Sequence, residues 1–106
     1  MKVLLDEMLP VGVADLLPDD TVITVKVAGF TGLKNGELIR QTIAAGFEVL
    51  VTADRNLPAQ QNIPATGIAV VLVPGNRLAE IAIRTTQIRA AVDGAPGTVT
   101  RVDRPG

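Results

Sequence analysis

Residues 2–10 read Lys2-Val3-Leu4-Leu5-Asp6-Glu7-Met8-Leu9-Pro10, and the chain repeats the logic of this segment several times. Val3 to Leu5 is continuously apolar rather than alternating. That is the pattern of a strand covered on both faces, as in a parallel sheet between two helical layers. Two carboxylates follow at once. Pro10 then suits the first turn of a helix running to about Leu17, because the first helical N–H has no partner to lose.

Working outward, Pro18-Asp19-Asp20 is a turn cluster, and Thr21 to Val27 is rich in β-branched residues, which predicts a second strand. Gly29 and Gly32 open a loop. Asn35 is placed to cap a helix with Glu37 in its first turn and Leu38, Ile39 and Ile43 on its apolar positions, and Gly46 fits just past its end. Phe47 to Thr52 reads as a third strand. The stretch from Ala53 to Thr66 carries Asp54, Asn56, Pro58, Gln60, Gln61, Asn62 and Pro64, and reads as an excursion loop with at most one helical turn. Ile68 to Val73 is a fourth strand, ended by Pro74-Gly75. From Asn76 onward Leu78, Ile81, Ile88 and Val92 recur at helical spacing, with Arg77 and Arg84 on another face. After the turn Gly94-Ala95-Pro96-Gly97, Thr98 to Val102 predicts an edge strand, and residues 103–106 a tail. Alternating strands and helices predict a single-domain α/β fold over residues 1–102, a three-layer arrangement with a mostly parallel central sheet and right-handed crossovers.

Composition narrows the chemistry. A chain of 106 residues with 47% hydrophobic and 20% charged residues has the apolar material for one core, which argues against disorder. Cysteine and histidine are absent, which removes disulfides, thiol nucleophiles, zinc sites and imidazole bases, and leaves carboxylates as the catalytic groups. A net charge of −1 supplies no global field for nucleic acid, and the two aromatics, Phe30 and Phe47, cannot form a base-stacking row. The apolar run Val3 to Leu5 is too short for a signal peptide, and no run of about 18 apolar residues predicts a membrane span. The expectation is a cytoplasmic protein with no membrane partner. Gly29-Phe30-Thr31-Gly32 matches neither the dinucleotide fingerprint nor a nucleoside triphosphate loop, so no nucleotide cofactor is expected.

In such sheets ligands bind beyond the carboxyl ends of the strands. Asp6 and Glu7 follow the first strand, Asp54 follows the third, and Glu37 opens the helix leading into the third, so one crevice is expected to collect them. Clustered carboxylates repel unless a cation neutralises them, and oxygen ligands without histidine suit Mg²⁺ or Mn²⁺. Such a site activates water against a phosphodiester. Each acid also has a structural reading: Asp6 as a helix cap, Asp54 as the start of an Asx turn, Glu37 as a charge on a helix dipole, Glu7 as a solvated neighbour.

The segments Leu4-Leu5-Asp6-Glu7-Met8-Leu9-Pro10, Gly32-Leu33-Lys34-Asn35-Gly36-Glu37-Leu38, Val51-Thr52-Ala53-Asp54-Arg55-Asn56-Leu57 with Gln60-Gln61-Asn62, and Pro74-Gly75-Asn76-Arg77 resemble, in that order, a small PIN-like family of unknown function. That family is related to PIN-domain ribonuclease toxins. The resemblance spans about residues 2–89 and implies a PIN-type sheet and a Mg²⁺- or Mn²⁺-dependent ribonuclease, the toxin half of a bacterial toxin–antitoxin pair. It implies catalytic and metal-binding roles for Asp6, Glu37 and Asp54 and, as partners, an RNA substrate and a small antitoxin protein; Glu7, beside Asp6, is a further candidate metal ligand, and a homodimer a further candidate assembly. Met8 stands where many relatives have Asn, and the fourth acid of active PIN nucleases has no clear counterpart; Asn76 and Glu7 are nearest.

Two other readings compete. One is a catalytically inactive PIN-like binding module, using a surface such as the Ala-rich face formed by Ala79, Ala82, Ala90 and Ala91. The other is a phosphoacceptor receiver-like domain, whose acid spacing Asp54 and Pro58 reproduce, although the only lysines are Lys2, Lys26 and Lys34. RNA binding is expected to draw on Arg40, Arg55 and Arg77.

Overall fold

A computed structural model describes residues 1–102 of the chain; the expected tail at 103–106 lies outside the described residues. Five strands form one sheet: β1 (Lys2–Leu5), β2 (Thr21–Thr24), β3 (Val49–Thr52), β4 (Ala69–Leu72) and β5 (Val99–Arg101), in the order β2-β1-β3-β4-β5. Every pairing is parallel, with Leu4 beside Ile23 and Leu50, Leu50 beside Val70, and Val70 beside Val99. The α/β class is as expected, and even the last edge strand is parallel.

Because successive side chains point to opposite faces, each strand splits its apolar residues between two cores. Val3, Leu5, Val49, Val51, Ala69 and Val71 pack on a first face with Leu9, Val13, Ile81 and Ile88. Leu4, Leu50, Val70 and Leu72 pack on a second face with Val25, Leu38, Ile39, Leu57 and Ile63. The first face is covered by a 3₁₀ turn at Val11–Leu16 and by α5 (Leu78–Ala82) and α6 (Thr85–Val92). The second is covered by α1 (Val25–Ala28), α2 (Asn35–Ala44), α3 (Leu57–Gln60) and α4 (Ile63–Thr66). This is the expected three-layer arrangement.

One crossover departs from expectation. The β1–β2 and β4–β5 connections both cross the first face but step in opposite directions along the sheet, so they have opposite hands. The right-handed rule therefore fails at one connection. The requirement it meets is burial: Val49, Val51, Val71 and Val73 on the first face need a cover that the 3₁₀ turn under β1 cannot extend to them, and Ile81, Ile88 and Val92 supply it.

Local differences have local causes. The second strand stops at Thr24 rather than Val27, because the Thr24 hydroxyl accepts from the N–H of Val27 and Gly29, at φ 82°, closes the resulting turn of helix in the left-handed conformation. The segment after Pro10 forms a 3₁₀ rather than an α-helix. The 53–66 excursion holds two single-turn helices, each with a proline, Pro58 or Pro64, in its first turn. The last helix is broken at Ile83–Arg84. There the Arg84 N–H bonds to the Ile81 carbonyl and the Thr85 hydroxyl to the Ala82 carbonyl, tightening the turn. Arg84 is buried, its guanidinium donating to the Glu80 carbonyl, so it shares no solvated face with Arg77.

Candidate functional site

The chain leaves β1 and β4 toward the first face, and β2 and β3 toward the second. Neighbouring strands whose continuations diverge leave their carboxyl ends parted, and that is where α/β sheets hold ligands. Asp6 stands at the end of β1 and Asp54 two residues beyond the end of the adjacent β3. The pair therefore flanks one such opening, as the sequence predicts.

A buried threonine ties them together. Thr52, the last residue of β3, donates its hydroxyl to Asp6 Oδ2 at 2.6 Å and accepts the backbone N–H of Asp54 at 3.0 Å. Asp6 Oδ1 accepts the Glu7 N–H at 2.8 Å, so the carboxylate organises its own loop and caps no helix. Asp6 is 8% exposed. Among the described residues, no buried side-chain nitrogen or oxygen lacks a partner.

Asp54 begins the Asx turn anticipated for it: Oδ1 accepts the Asn56 N–H at 2.9 Å. Its other oxygen, Oδ2, accepts the Asn35 side-chain amide at 3.1 Å, and the same amide reaches Gln60 Oε1 at 3.2 Å. Asn35 is thus the first residue of α2 rather than its cap. Lys34 occupies the cap position without a side-chain bond, and the Asn35 amide links α2 to α3 across the acid.

Glu37 is turned to a different task. Its Oε2 accepts Arg40 Nε and Nη2 at 2.8 and 2.6 Å, and Oε1 accepts Gln41 Nε2 at 3.0 Å. The Gln41 amide, followed by Arg40's hydrogen bonds and charge, holds the Glu37 carboxyl below its ordinary value of 4.5. Arg40, expected to face RNA, is engaged in this pair. Glu7 is exposed beside Asp6. Among the described residues, no three acids come together as a metal-ligating group; Asp6 and Asp54 are linked through Thr52 and the Asp54 backbone, while Glu37 is held on its own helix by Arg40 and Gln41.

Beside Asp6 a groove of about 410 Å³ opens between the ends of β1 and β2. The β1 continuation contributes Asp6, Glu7, Leu9 and Val11; the β2 end contributes Thr24, Lys26 and Thr31. Sequence reasoning assigned no role to Lys26, to the Asn35–Gln60 link or to Thr52 as a bridge. A threonine closing an apolar strand two residues before an aspartate was the one signal that marks the bridge. The Ala-rich face also dissolves as a single surface: Ala79 and Ala82 lie on α5 and Ala90 and Ala91 on α6, with Ala91 in the core. No helix among the described residues is long and apolar enough to cross a membrane. No family model, curated protein or solved structure matches the chain.

Proposed function

We propose that the chain is a metal-dependent ribonuclease of the PIN type it resembles, a hydrolase that holds Mg²⁺ or Mn²⁺ on Asp6 and Asp54. The observation that carries this reading is the placement of Asp6 and Asp54 at the parted ends of adjacent strands β1 and β3, with Thr52 bonded to the Asp6 carboxylate and to the Asp54 backbone N–H. The donor set fits the ion. A carboxylate oxygen offers two lone-pair directions, and the hydrogen bonds at Asp6 and Asp54 take one each. Mg²⁺ is commonly held by one or two carboxylates together with waters and substrate phosphate, so two acids suffice when the phosphodiester completes the shell.

When bound, the ion supplies charge for the transition-state phosphate and lowers the pKa of a bound water. The chain's own residues do the positioning. Thr52 ties the Asp6 carboxylate to the Asp54 backbone, Asn35 orients the Asp54 carboxylate from the side of α2, and Glu7, exposed next to Asp6, is a further candidate metal ligand. Glu37 is set apart by Arg40 and Gln41 and takes no part. A toxin role and an antitoxin partner rest on the resemblance alone.

The test is a Mg²⁺ and Mn²⁺ titration followed by amide NMR shifts and paramagnetic broadening. Saturable changes centred on residues 6–7 and 52–56, absent in Asp54→Asn with the rest of the spectrum preserved, support the reading. Millimolar metal that leaves these amides unmoved removes it.

The strand order suggests a second reading, a receiver-like phosphoacceptor, since the same 2-1-3-4-5 order occurs in receiver domains, although the β4–β5 crossover here lies on the face opposite to the one a uniformly right-handed sheet of that order would use. Asp54 would then gain one phosphoryl group on incubation with acetyl phosphate, seen by mass spectrometry and lost in Asp54→Asn. An unmodified mass under those conditions disposes of it.

A further inference from the structure

The groove between the ends of β1 and β2 is lined by Asp6 but not by Asp54. Its two walls differ in charge: one carries Asp6 and Glu7, the other Lys26 with the hydroxyl residues Thr24 and Thr31. The Lys26 ammonium makes no hydrogen bond or ion pair among the described residues. Between the polar groups lie Leu9, at the core's edge, and Val11, which is 74% exposed. The groove thus offers an exposed ammonium with no partner among the described residues beside exposed aliphatic carbon, a lining complementary to a ligand with an anionic and an apolar part.

We infer that this groove is a subsite for one nucleotide of a single-stranded substrate, the nucleotide adjoining the phosphate held at Asp6 and Asp54. This rests on the nuclease reading. The phosphate of that nucleotide pairs with Lys26, its sugar meets the Thr24 and Thr31 hydroxyls, and its base lies on Leu9 and Val11. The volume, about 410 Å³, falls at the lower end of the range of small-ligand sites, roughly 300–1,000 Å³, and suits one nucleotide rather than several. Neither Phe30 nor Phe47 lines the groove, so the base rests on aliphatic carbon and is read weakly. The two acids repel a phosphate until a cation is present, so nucleotide binding strengthens with Mg²⁺.

The experiment titrates the full chain with uridine 5′-monophosphate, uridine and inorganic phosphate, with Mg²⁺ and with chelator, following amide shifts. Magnesium alone is titrated first. In Mg²⁺ the nucleotide is expected to shift residues 6–11, 24–26 and 31, uridine to bind more weakly, and phosphate to leave residues 9–11 unmoved. Lys26→Gln, a change on an exposed helix turn, is expected to weaken the nucleotide about two- to fivefold, as for loss of an exposed ion pair. Val11→Ser is expected to weaken uridine and nucleotide alike while leaving phosphate unchanged. If magnesium moves residues 6 and 54 but the nucleotide leaves the groove silent, or Lys26→Gln binds as well as wild type, the subsite is wrong and the metal reading stands. If magnesium moves nothing, the nuclease reading fails, and the assignment of this groove to a scissile strand fails with it.

Discussion

Thr52→Val tests whether the bridge between the acids is an energetic feature of the fold. Thr52 is fully buried; its hydroxyl donates to a carboxylate at 2.6 Å and accepts a backbone N–H at 3.0 Å. Valine keeps the shape and removes both bonds. A hydrogen bond to a charged group is worth about 1.5–3 kcal/mol, and leaving the Asp54 N–H and Asp6 Oδ2 short of a partner adds to that, so the expected loss is about 2–4 kcal/mol. With a urea slope of about 1.5 kcal/mol/M, the midpoint falls by about 1–3 M. That is a large part of the roughly 5–15 kcal/mol that holds a domain of this kind together, yet leaves it folded in water. The chain has no tryptophan or tyrosine, so unfolding is followed by far-ultraviolet circular dichroism. Thr42→Val is the internal control. Thr42 is equally buried, but its hydroxyl donates to the neutral Leu38 carbonyl within α2, which keeps its helical bond. Its loss is expected to cost about 0–1 kcal/mol. A Thr52→Val midpoint shift no larger than that of Thr42→Val refutes the bridge as a determinant of stability.

Glu37 carries an acid-side prediction. Its folded-state pKa lies below the ordinary 4.5 because Gln41 and Arg40 favour the charged form, so the stabilisation it contributes is present above about pH 4.5 and is lost as pH falls through the lower folded value. Urea midpoints of wild type and Glu37→Gln are therefore expected to converge on acidification below 4.5, and a gap that persists unchanged at low pH contradicts the assignment. Gly97, at φ 78°, faces the Pro64 carbonyl, and an added Cβ would lie 3.0 Å from that oxygen. Gly97→Ala is expected to lower stability by about 2–3 kcal/mol, against about 1 kcal/mol for Gly46→Ala, where the cost is conformational only. Gly46 has φ 80° with nothing within 4 Å of the added carbon, so equal thermal midpoints for the two variants would show that the Pro64 contact gives way freely. For Asp54→Asn, the expected outcome is an intact fold with no metal response, read from the same amide spectra.

Much of this architecture was legible because burial on two faces leaves a signature that a single sequence carries. Val3 to Leu5, Val49 to Val51 and Val70 to Leu72 lack a polar side, and only a sheet sandwiched between helical layers accepts that. Boundaries were less legible where a side chain outcompeted propensity. Val25 and Val27 are β-branched, yet the Thr24 cap and left-handed Gly29 turn them into helix. The periodic apolar positions from Leu78 to Val92 concealed a break, because Ile81 and Ile88 lie on the same core whether or not the helix is continuous between them.

The candidate site divides in the same way. That Asp6 and Asp54 share an edge follows from chain order alone, since each closes an apolar strand and parallel strands present the same end. That Glu37 would stay apart does not, because its choice between the acids and Arg40 depends on a difference between local hydrogen bonds one turn away and a cluster of like charges across the fold. Nor does the role of Asn35, whose residue type suits a cap but whose amide finds Asp54 and Gln60 within reach only after α2 and α3 are packed.

By itself, then, the sequence determined the layer class, the parallel strands and the pairing of two carboxylates at one edge, all of which depend on residue type and order along the chain. The tertiary structure alone decided the hand of the last crossover, the bridge through Thr52, the separation of Glu37 and the groove that Lys26 enters. Each of these is set by contacts between segments distant in sequence, where energies of a few kcal/mol choose among arrangements that local pattern leaves equal.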